Sequence, residues 1–205
     1  MQMKELMIDP AELQALAPAG FYVAIRIGFA FPMVELNQLP PSWVREYTAS
    51  GLMVHDPAMS WAYKNVGAVR WSALVASDTL GVLDLAKDHR LEFGAVVSCS
   101  DRNDPSQRSF GLFARSDREY DAQELARLSD RVSECHRVHA RPSNLTTAEL
   151  ETLGLVKNGL LMKEIACILN VSESAIKQRL KNARVKLNAK TGPQAAAMAT
   201  MFGMI

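Results

Sequence analysis

The sequence predicts an α/β sandwich followed by an all-α domain, and three observations support this fold class. Segments rich in aromatic and β-branched residues, typical of strands, alternate with helical patterns only within the first 139 residues. The segment ARPSN at 140–144 then breaks the last of these helical patterns, because proline cannot continue a helix. Every pattern after this segment is helical. We therefore predict domains at 1–139 and 145–205, joined by a linker at 140–144.

Composition and charge restrict the class of protein. The chain has 205 residues, of which 48% are hydrophobic and 22% charged, so it can build real cores and is not disordered. No apolar run approaches the roughly 20 residues of a membrane span, and the first dozen residues contain acids but no apolar signal core. We therefore expect a cytoplasmic protein that has no contact with membranes.

The net charge of +1 hides a difference between the two predicted domains. From Asn144 onward the chain has eight Lys and Arg against four Glu, a charge of +4, and the fifteen basic and eighteen acidic residues before it give −3. A basic C-terminal domain beside an acidic one indicates a polyanionic partner for that end of the molecule. A charge difference of this size is also common when the charged residues only form a solvent-exposed surface without a charged partner.

The elements of the first domain follow from caps and periodicity. Asp9 and Pro10 supply an N-cap and a first-turn proline for the first helix, and Gly51 is placed to end the second. In chain order we predict a helix at 9–17, a strand at 21–31, a helix at 40–51, a helix from 57, strands at 91–99 and 109–115, and a longer helix at 121–139. That last helix has an apolar face made of Leu125, Leu128, Val132 and Cys135.

The second domain begins with two capped helices. Thr146 and Glu149 form a capping box, and Gly159 is placed to end the helix that follows. A second helix is predicted at 163–170, buried through Ile165, Ile168 and Leu169. After a tight turn, Ser172 is the predicted N-cap of a third helix.

The third helix separates an apolar face from a face rich in hydrogen-bond donors. Its apolar face consists of Ile176, Leu180, Ala183 and Leu187. Donors that face away from a core, on a helix presented by a tight turn, suit the major groove of DNA. The predicted DNA-binding residues are Lys163, Ser174, Lys177, Gln178, Lys181, Asn182, Arg184 and Val185. Arg179, Lys186 and Lys190 would suit phosphates, as would Lys163. A plain three-helix bundle with a charged surface is the alternative.

Residues 145–205 resemble the DNA-binding domain of LuxR-type transcription regulators throughout. The matching marks include Leu145-Thr146 with Glu149, Glu164-Ile165-Ala166, Val171-Ser172, Ile176-Lys177 and Lys186-Leu187. The resemblance implies a four-helix, helix-turn-helix domain whose terminal alanine-rich helix helps two copies to pair. The chain departs from the pattern at Leu160-Leu161-Met162, where the family has polar residues and an N-cap, and at Ala175 and Arg179.

The order and spacing of Trp43, Tyr47, Asp56-Pro57 and Trp71 resemble the autoinducer-binding domain of acyl-homoserine-lactone receptors. This resemblance implies a central antiparallel sheet with helices on both faces. It implies that Trp43 donates to the lactone carbonyl, that Asp56 accepts from the amide N–H, and that Tyr47 and Trp71 wall the ligand. As alternatives, the aromatic residues would be ordinary core and Asp56 the cap of a helix starting at Pro57.

Two further positions of the predicted ligand site depart from that family. Leu39 stands where many receptors carry a tyrosine, and Phe113 lies near a position that is often small or hydroxylated and faces the acyl chain. Ser98 also replaces a usual proline. These changes allow an alternative function: an orphan regulator with an altered or closed pocket, which is ligand-independent or acts as an inhibitory heterodimer partner.

The leading hypothesis is a homodimeric, DNA-binding quorum-sensing regulator that binds an acyl-homoserine lactone or another small apolar ligand, with RNA polymerase as a further partner. We expect no catalytic site, because His55, His89, His136 and His139 have no evident catalytic partners, and we expect His136 and His139 at the surface. We expect no metal site or disulfide, because Cys99, Cys135 and Cys167 are far apart. These cysteines are predicted to be buried thiols.

Overall fold

The computed structural model describes residues 9–27, 31–102, 104–140 and 144–205. They form two compact units, which divide between Ala140 and Asn144. None of the helices in these four ranges is long and apolar enough to cross a membrane. Within the same ranges, no group of three or more His, Cys, Asp or Glu side chains is arranged to hold a metal ion.

The first unit is built on a five-stranded antiparallel sheet in the order β2-β1-β5-β4-β3. The strands are β1 (Gly20–Ile27), β2 (Pro32–Asn37), β3 (Gly67–Arg70), β4 (Phe93–Ser100) and β5 (Arg108–Arg115). The strands predicted at 91–99 and 109–115 are confirmed. The strand predicted at 21–31 is too long: β1 ends at Ile27, residues 28–30 lie outside the described part, and Phe31 precedes β2.

The sequence did not predict β2 and β3, and their place in the sheet explains why. Both are edge strands, with one paired side each. β2 begins at a proline, which an edge strand tolerates, and its residues are half-buried or exposed. β3 has four residues, of which none is fully buried. Neither strand therefore carries the apolar run or the clean alternation that identifies a strand from sequence.

Helices cover both faces of this sheet, as expected. They are α1 (Pro10–Leu16), α2 (Pro41–Ala49), α3 (Pro57–Lys64), α4 (Val82–Lys87) and α5 (Ala122–Val138), with 3₁₀ helices at Leu52–Val54 and Trp71–Ser77. The predicted caps are confirmed at Asp9 and at Asp56, whose carboxylates accept from Ala11 N and Ala58 N. The short α4 was not predicted; the Asp78 carboxylate caps it by accepting from Val82 N and Leu83 N.

The alternation of side chains along β5 assigns residues to two separate cores. Phe110, Leu112 and Ala114 face the core shared with α2, α3 and α4. Phe113 faces the opposite core, against α1 and α5, and is completely buried there. The prediction that Phe113 faces a ligand is therefore wrong, because adjacent strand residues point to opposite faces of a sheet.

A buried polar network joins the sheet to the end of α5. Arg26, which is 2% exposed and has a φ of 51°, lies where the register of β1 and β5 shifts. Its guanidinium pairs with Asp101 and donates to the His136 carbonyl at 2.9 Å. The His136 ring lies 2.7 Å from Ser109 Oγ and 3.2 Å from Asp101 Oδ1. The expectation that His136 is a surface residue is wrong.

The second unit is all α, with α6 (Thr147–Lys157), α7 (Met162–Ile168), α8 (Glu173–Lys186) and α9 (Gly192–Met201). The Thr146–Glu149 capping box, the Ser172 cap and the positive φ of Gly159 that follows α6 are confirmed. Two details differ from the prediction. Ile168 is 57% exposed rather than buried, because it ends α7 on the outer side. Cys167 on the same helix is exposed, whereas Cys135 is buried as expected.

Candidate functional site

The first unit contains an apolar cavity, here called the main cavity, of about 430 Å³. It lies among α2, α3, α4 and one face of the sheet. Its lining residues are Tyr22, Asn37, Leu39, Trp43, Val44, Tyr47, Thr48, Gly51, Met53, Val54, Asp56, Met59, Trp71, Val82, Leu83, Ala86, Leu112 and Ala114. A small-molecule site has this character, with a volume of roughly 300–1,000 Å³, apolar walls and a few converging polar groups.

Asp56 is the buried charged group of the main cavity. Its side chain caps α3, since Oδ1 accepts from Ala58 N at 2.7 Å, and Oδ2 accepts from the Tyr47 hydroxyl at 2.7 Å. Burial raises the pKa of Asp56, whereas these two hydrogen bonds oppose that rise. A carboxylate offers more acceptor positions than these two donors occupy. A further N–H donor in the cavity would therefore stabilise its charged form.

Trp43 is held in the cavity wall by contacts on two sides. Its ring centroid lies 5.2 Å from that of Tyr47 and 5.5 Å from that of His89, both in tilted arrangements. His89 in turn bridges two residues of α2, with ring nitrogens 3.0 Å from Ser42 Oγ and 2.8 Å from Glu46 Oε2. These contacts orient the indole within the cavity wall.

Trp71 lies against the backbone of β4 at Gly94. A Cβ atom at position 94 would stand 1.9 Å from Trp71 Cδ2, so any side chain there would displace the indole. Trp71 is 8% exposed, and its Nε1 has no hydrogen-bond partner among the described residues. The close approach of the Trp71 ring to the strand therefore depends on glycine at position 94.

The structure brings five of the six predicted ligand residues together in the main cavity. Leu39, Trp43, Tyr47, Asp56 and Trp71 all line it, whereas Phe113 lies on the other face of the sheet. Leu112 and Ala114 also line the cavity and were not predicted. Side chains alternate along a strand, so both would have been identified if the face of one β5 residue had been known. Sequence reasoning also missed Asn37 at the end of β2, and Met53 and Val54 in a 3₁₀ helix, for which no sequence pattern gave a signal.

The outward face of α8 contains the second predicted site. All eight predicted DNA-binding residues are exposed, including Lys163 on α7 and Val185, which is 75% exposed. Gln178 Nε2 donates to Asn182 Oδ1 at 2.8 Å, and the Ser174 and Ser172 hydroxyls lie 2.8 Å apart. Among the described residues, Lys177, Lys181 and Arg184 make no side-chain hydrogen bond or ion pair. Their charges are therefore available to an external anion.

Lys186 does not join this exposed surface. Its ammonium group lies 2.8 and 2.9 Å from the two carboxylate oxygens of Glu149, whose side chain is 4% exposed. The ion pair ties α8 to the first turn of α6 and, together with the capping hydrogen bond from Thr146 N, lowers the pKa of Glu149 against the effect of burial. The suggestion that Lys186 suits a phosphate is wrong, because its ammonium group is paired with the Glu149 carboxylate.

The start of α7 lacks a capping side chain, as the sequence indicated. Leu161 occupies the N-cap position and is 59% exposed. The Glu164 carboxylate accepts from Leu161 N at 2.7 Å, which supplies one half of a capping box. This hydrogen bond compensates in part for the missing polar cap.

Comparisons with known proteins agree on both units. A family model described as the autoinducer binding domain matches residues 32–141, and one described as bacterial regulatory proteins of the luxR family matches residues 143–199. The transcriptional activator VanR of Vibrio anguillarum is 29% identical over 82% of this chain and 76% of its own. The regulatory protein SdiA of Escherichia coli K12 is 24% identical over 100% of this chain and 92% of its own.

One further relative and one solved structure bear on the family and the fold. The quorum-sensing regulator RhlR of Pseudomonas aeruginosa is 25% identical over 87% of this chain and 79% of its own. The crystal structure of Escherichia coli SdiA aligns with a TM-score of 0.52 at 24% identity, covering 95% of this chain and 88% of that one. At this level of identity the structural match establishes a shared fold.

Proposed function

The chain belongs to the LuxR-type transcription regulators that carry an autoinducer-binding domain, and we propose that an acyl-homoserine-lactone-type signal in the main cavity controls its binding to DNA. One observation carries this proposal: Trp43, Tyr47, Asp56 and Trp71 converge on a single apolar cavity in the first unit. RhlR, a relative at 25% identity, is a quorum-sensing regulator by name.

The chemistry of the main cavity suits an acyl lactone. Such a ligand has one amide N–H, which the remaining acceptor positions of Asp56 would bind, and a lactone carbonyl, which the Trp43 indole N–H would bind. The apolar walls, with Leu39 among them, would enclose the acyl chain. A buried carboxylate is costly unless its acceptor positions are filled, so Asp56, which has acceptor positions left beside those used by Tyr47 and Ala58, favours ligands that bring a donor over purely hydrocarbon ones.

The second unit is the DNA-binding part of this transcription regulator. We propose that α8 enters the major groove with Lys177, Lys181 and Arg184 foremost, since these side chains are exposed and unpaired within the described residues. In a homodimer, two such helices would contact half-sites about one helical turn apart. The signal would act by binding more tightly to the DNA-competent state. The proposed setting is the cytoplasm, with RNA polymerase as a further partner.

The alternative of a closed pocket has little support in the geometry. A cavity of about 430 Å³ lies beside Asp56, and Phe113, the residue expected to fill it, belongs to the other core. Leu39 does line the cavity, so the loss of a hydroxyl at this position remains a reason for altered ligand preference.

Calorimetric titration of the full chain with acyl-homoserine lactones of increasing chain length tests the proposal. We expect saturable heat and a raised melting temperature for at least one member of the panel. Asp56→Asn retains an oxygen that can cap α3 but removes the charge, and should weaken binding about 10–100-fold. No heat and no thermal shift for any lactone would refute the proposed signal, as would unchanged affinity in the Asp56→Asn variant.

A further inference from the structure

A second chamber, of about 540 Å³, shares two wall residues with the main cavity. Trp71 and Leu83 line both spaces. The remaining apolar wall of the second chamber comes from Val75, Phe93 and Gly94. Because Gly94 has no side chain, the Trp71 ring lies directly on β4 and forms a flat wall there. A flat apolar body such as an aromatic ring would pack well against this surface.

The polar residues of the second chamber carry an excess of negative charge. They are Ser72, Asp84, Lys87, Glu92 and Glu119. Lys87 is paired with Asp84 at 2.6 Å, so its charge is already balanced. Glu92 and Glu119 make no ion pair with any described residue. The formal charge of the lining is therefore −2, which favours a cationic occupant over a neutral or anionic one.

Two residues that line this chamber each have a buried polar atom with no partner within the described residues. The atoms are the Trp71 Nε1 donor and Glu119 Oε2, whose companion oxygen accepts from the Ser72 hydroxyl. Buried donors and acceptors are ordinarily paired, because an unpaired one loses its hydrogen bond to water without compensation. If the Glu119 carboxylate turns toward the chamber, a ligand N–H donor can pair with it and remove part of this cost.

We propose that the second chamber is a binding site for a small organic amine that has a flat apolar body and a cationic head. The apolar body would lie on Trp71 and Phe93, and the ammonium group would donate to Glu119 with Glu92 nearby. The proposal goes beyond the acyl-lactone function and does not depend on it, because Asp56 and Trp43 line the main cavity and not the second chamber. Trp71 and Leu83 would couple the two sites as shared walls.

Tryptamine serves as the probe, since it combines an indole with a primary ammonium group. Calorimetric titration of tryptamine into the lactone-free full chain should show saturable binding at one site. N-acetyltryptamine keeps the indole and loses the charge, and should bind at least about tenfold more weakly. Equal binding of the two compounds, or no binding of tryptamine, would overturn the proposal.

A pair of reciprocal variants locates the site. Glu119→Gln, which keeps the acceptor for Ser72, should weaken tryptamine about tenfold or more and leave lactone binding unchanged. Asp56→Asn should do the reverse, so failure of the lactone proposal and failure of this one give different results. Loss of tryptamine binding in Asp56→Asn but not in Glu119→Gln would assign the amine to the main cavity and refute the second site. Thermal melting of each variant verifies that it is folded.

Discussion

The two units of this regulator differ in whether their proposed functional groups are buried or exposed. The first unit buries them: Asp56 and Trp43 are each 5% exposed and face a cavity. The second unit exposes them along one side of α8. Composition follows the same division, since all three tryptophans and all four tyrosines of the chain precede residue 144, and Phe202 is the one aromatic residue after it.

This difference fits what each proposed partner requires. A small apolar ligand gains most from removal of its surface from water, so its site must be enclosed by several elements. DNA presents its groups in a groove, so one exposed helix face is enough to contact them. The aromatic residues of the first unit supply large apolar area, whereas alanines such as Ala195, Ala196 and Ala199 suffice in the core of the second.

The largest expected effect tests whether Phe113 belongs to the core or to the ligand site. Phe113→Ala should lower the free energy of unfolding of the first unit by about 3–5 kcal/mol, since it empties a fully buried site, while lactone affinity stays unchanged. Leu39→Ala is the matched variant, with a stability loss of roughly 1 kcal/mol for a half-buried side chain and altered lactone affinity. Urea unfolding followed by tryptophan fluorescence gives the first quantity, and calorimetry the second. A small loss of stability together with altered lactone affinity in Phe113→Ala would instead place Phe113 in the ligand site.

A smaller effect on stability is expected at Glu149, the buried carboxylate of the second unit that pairs with Lys186. Glu149→Ala removes the carboxylate that accepts from Thr146 N in the α6 capping box and that pairs with Lys186, and should lower the free energy of unfolding by about 2–3 kcal/mol. Glu149→Gln keeps an oxygen for the capping box and should lower it less. Melting followed by far-ultraviolet circular dichroism and a DNA gel-shift assay measure the loss. Because all tryptophans lie in the first unit, their fluorescence transition should not move. Equal stability of Glu149→Ala and the parent protein would contradict this role.

The exposed face of α8 should affect DNA binding without affecting stability. Lys181→Ala should weaken binding to a specific site by about 1–3 kcal/mol, because its charge has no partner within the described residues. Lys186→Ala is the control, and should lower stability through the loss of the Glu149 ion pair. Fluorescence anisotropy with a labelled operator, at fixed salt, compares the two variants. Undiminished affinity and selectivity in Lys181→Ala would remove this residue from the proposed DNA surface.

The smallest expected effect is a pH dependence confined to the first unit. Burial, with Arg26 nearby, lowers the pKa of His136 below its usual 6.5, against the opposing effect of Asp101. The folded state therefore favours the neutral ring, and this contribution is present above pH 6.5 and lost as the pH falls below it. The fluorescence-detected urea midpoint should fall on acidification through this range.

His136→Gln should reduce that pH dependence, and His55→Gln at an exposed position is its control. The second unit contains no histidine, so its stability should stay level over the same range. An unchanged pH slope in His136→Gln would exclude His136 as the source.

Local sequence patterns predicted a structural feature correctly when all residues of that feature lie in one helix or strand. The caps at Asp56, Thr146 and Ser172 are correct because a cap needs a residue and the few that follow it. The outward side of α8 is correct because helical periodicity relates residues within one helix. Errors arose where a residue's surroundings come from elsewhere in the chain: Phe113 was assigned to the wrong face of its strand, and Ile168 to the wrong side of its helix.

Sequence patterns were sufficient to predict a division into two units, the main helices and strands, the family, and the outward face of α8. The other features depend on tertiary packing. Packing decides which β5 side chains face which core, and it brings Trp43, Asp56 and Leu112 together around one cavity. It also places Lys186 in an ion pair with Glu149. Packing further makes Trp71 a wall common to two chambers. The physical reason is that capping and periodicity act over a few residues, whereas a cavity is bounded by side chains that are distant in sequence and meet only when the sheet and helices pack.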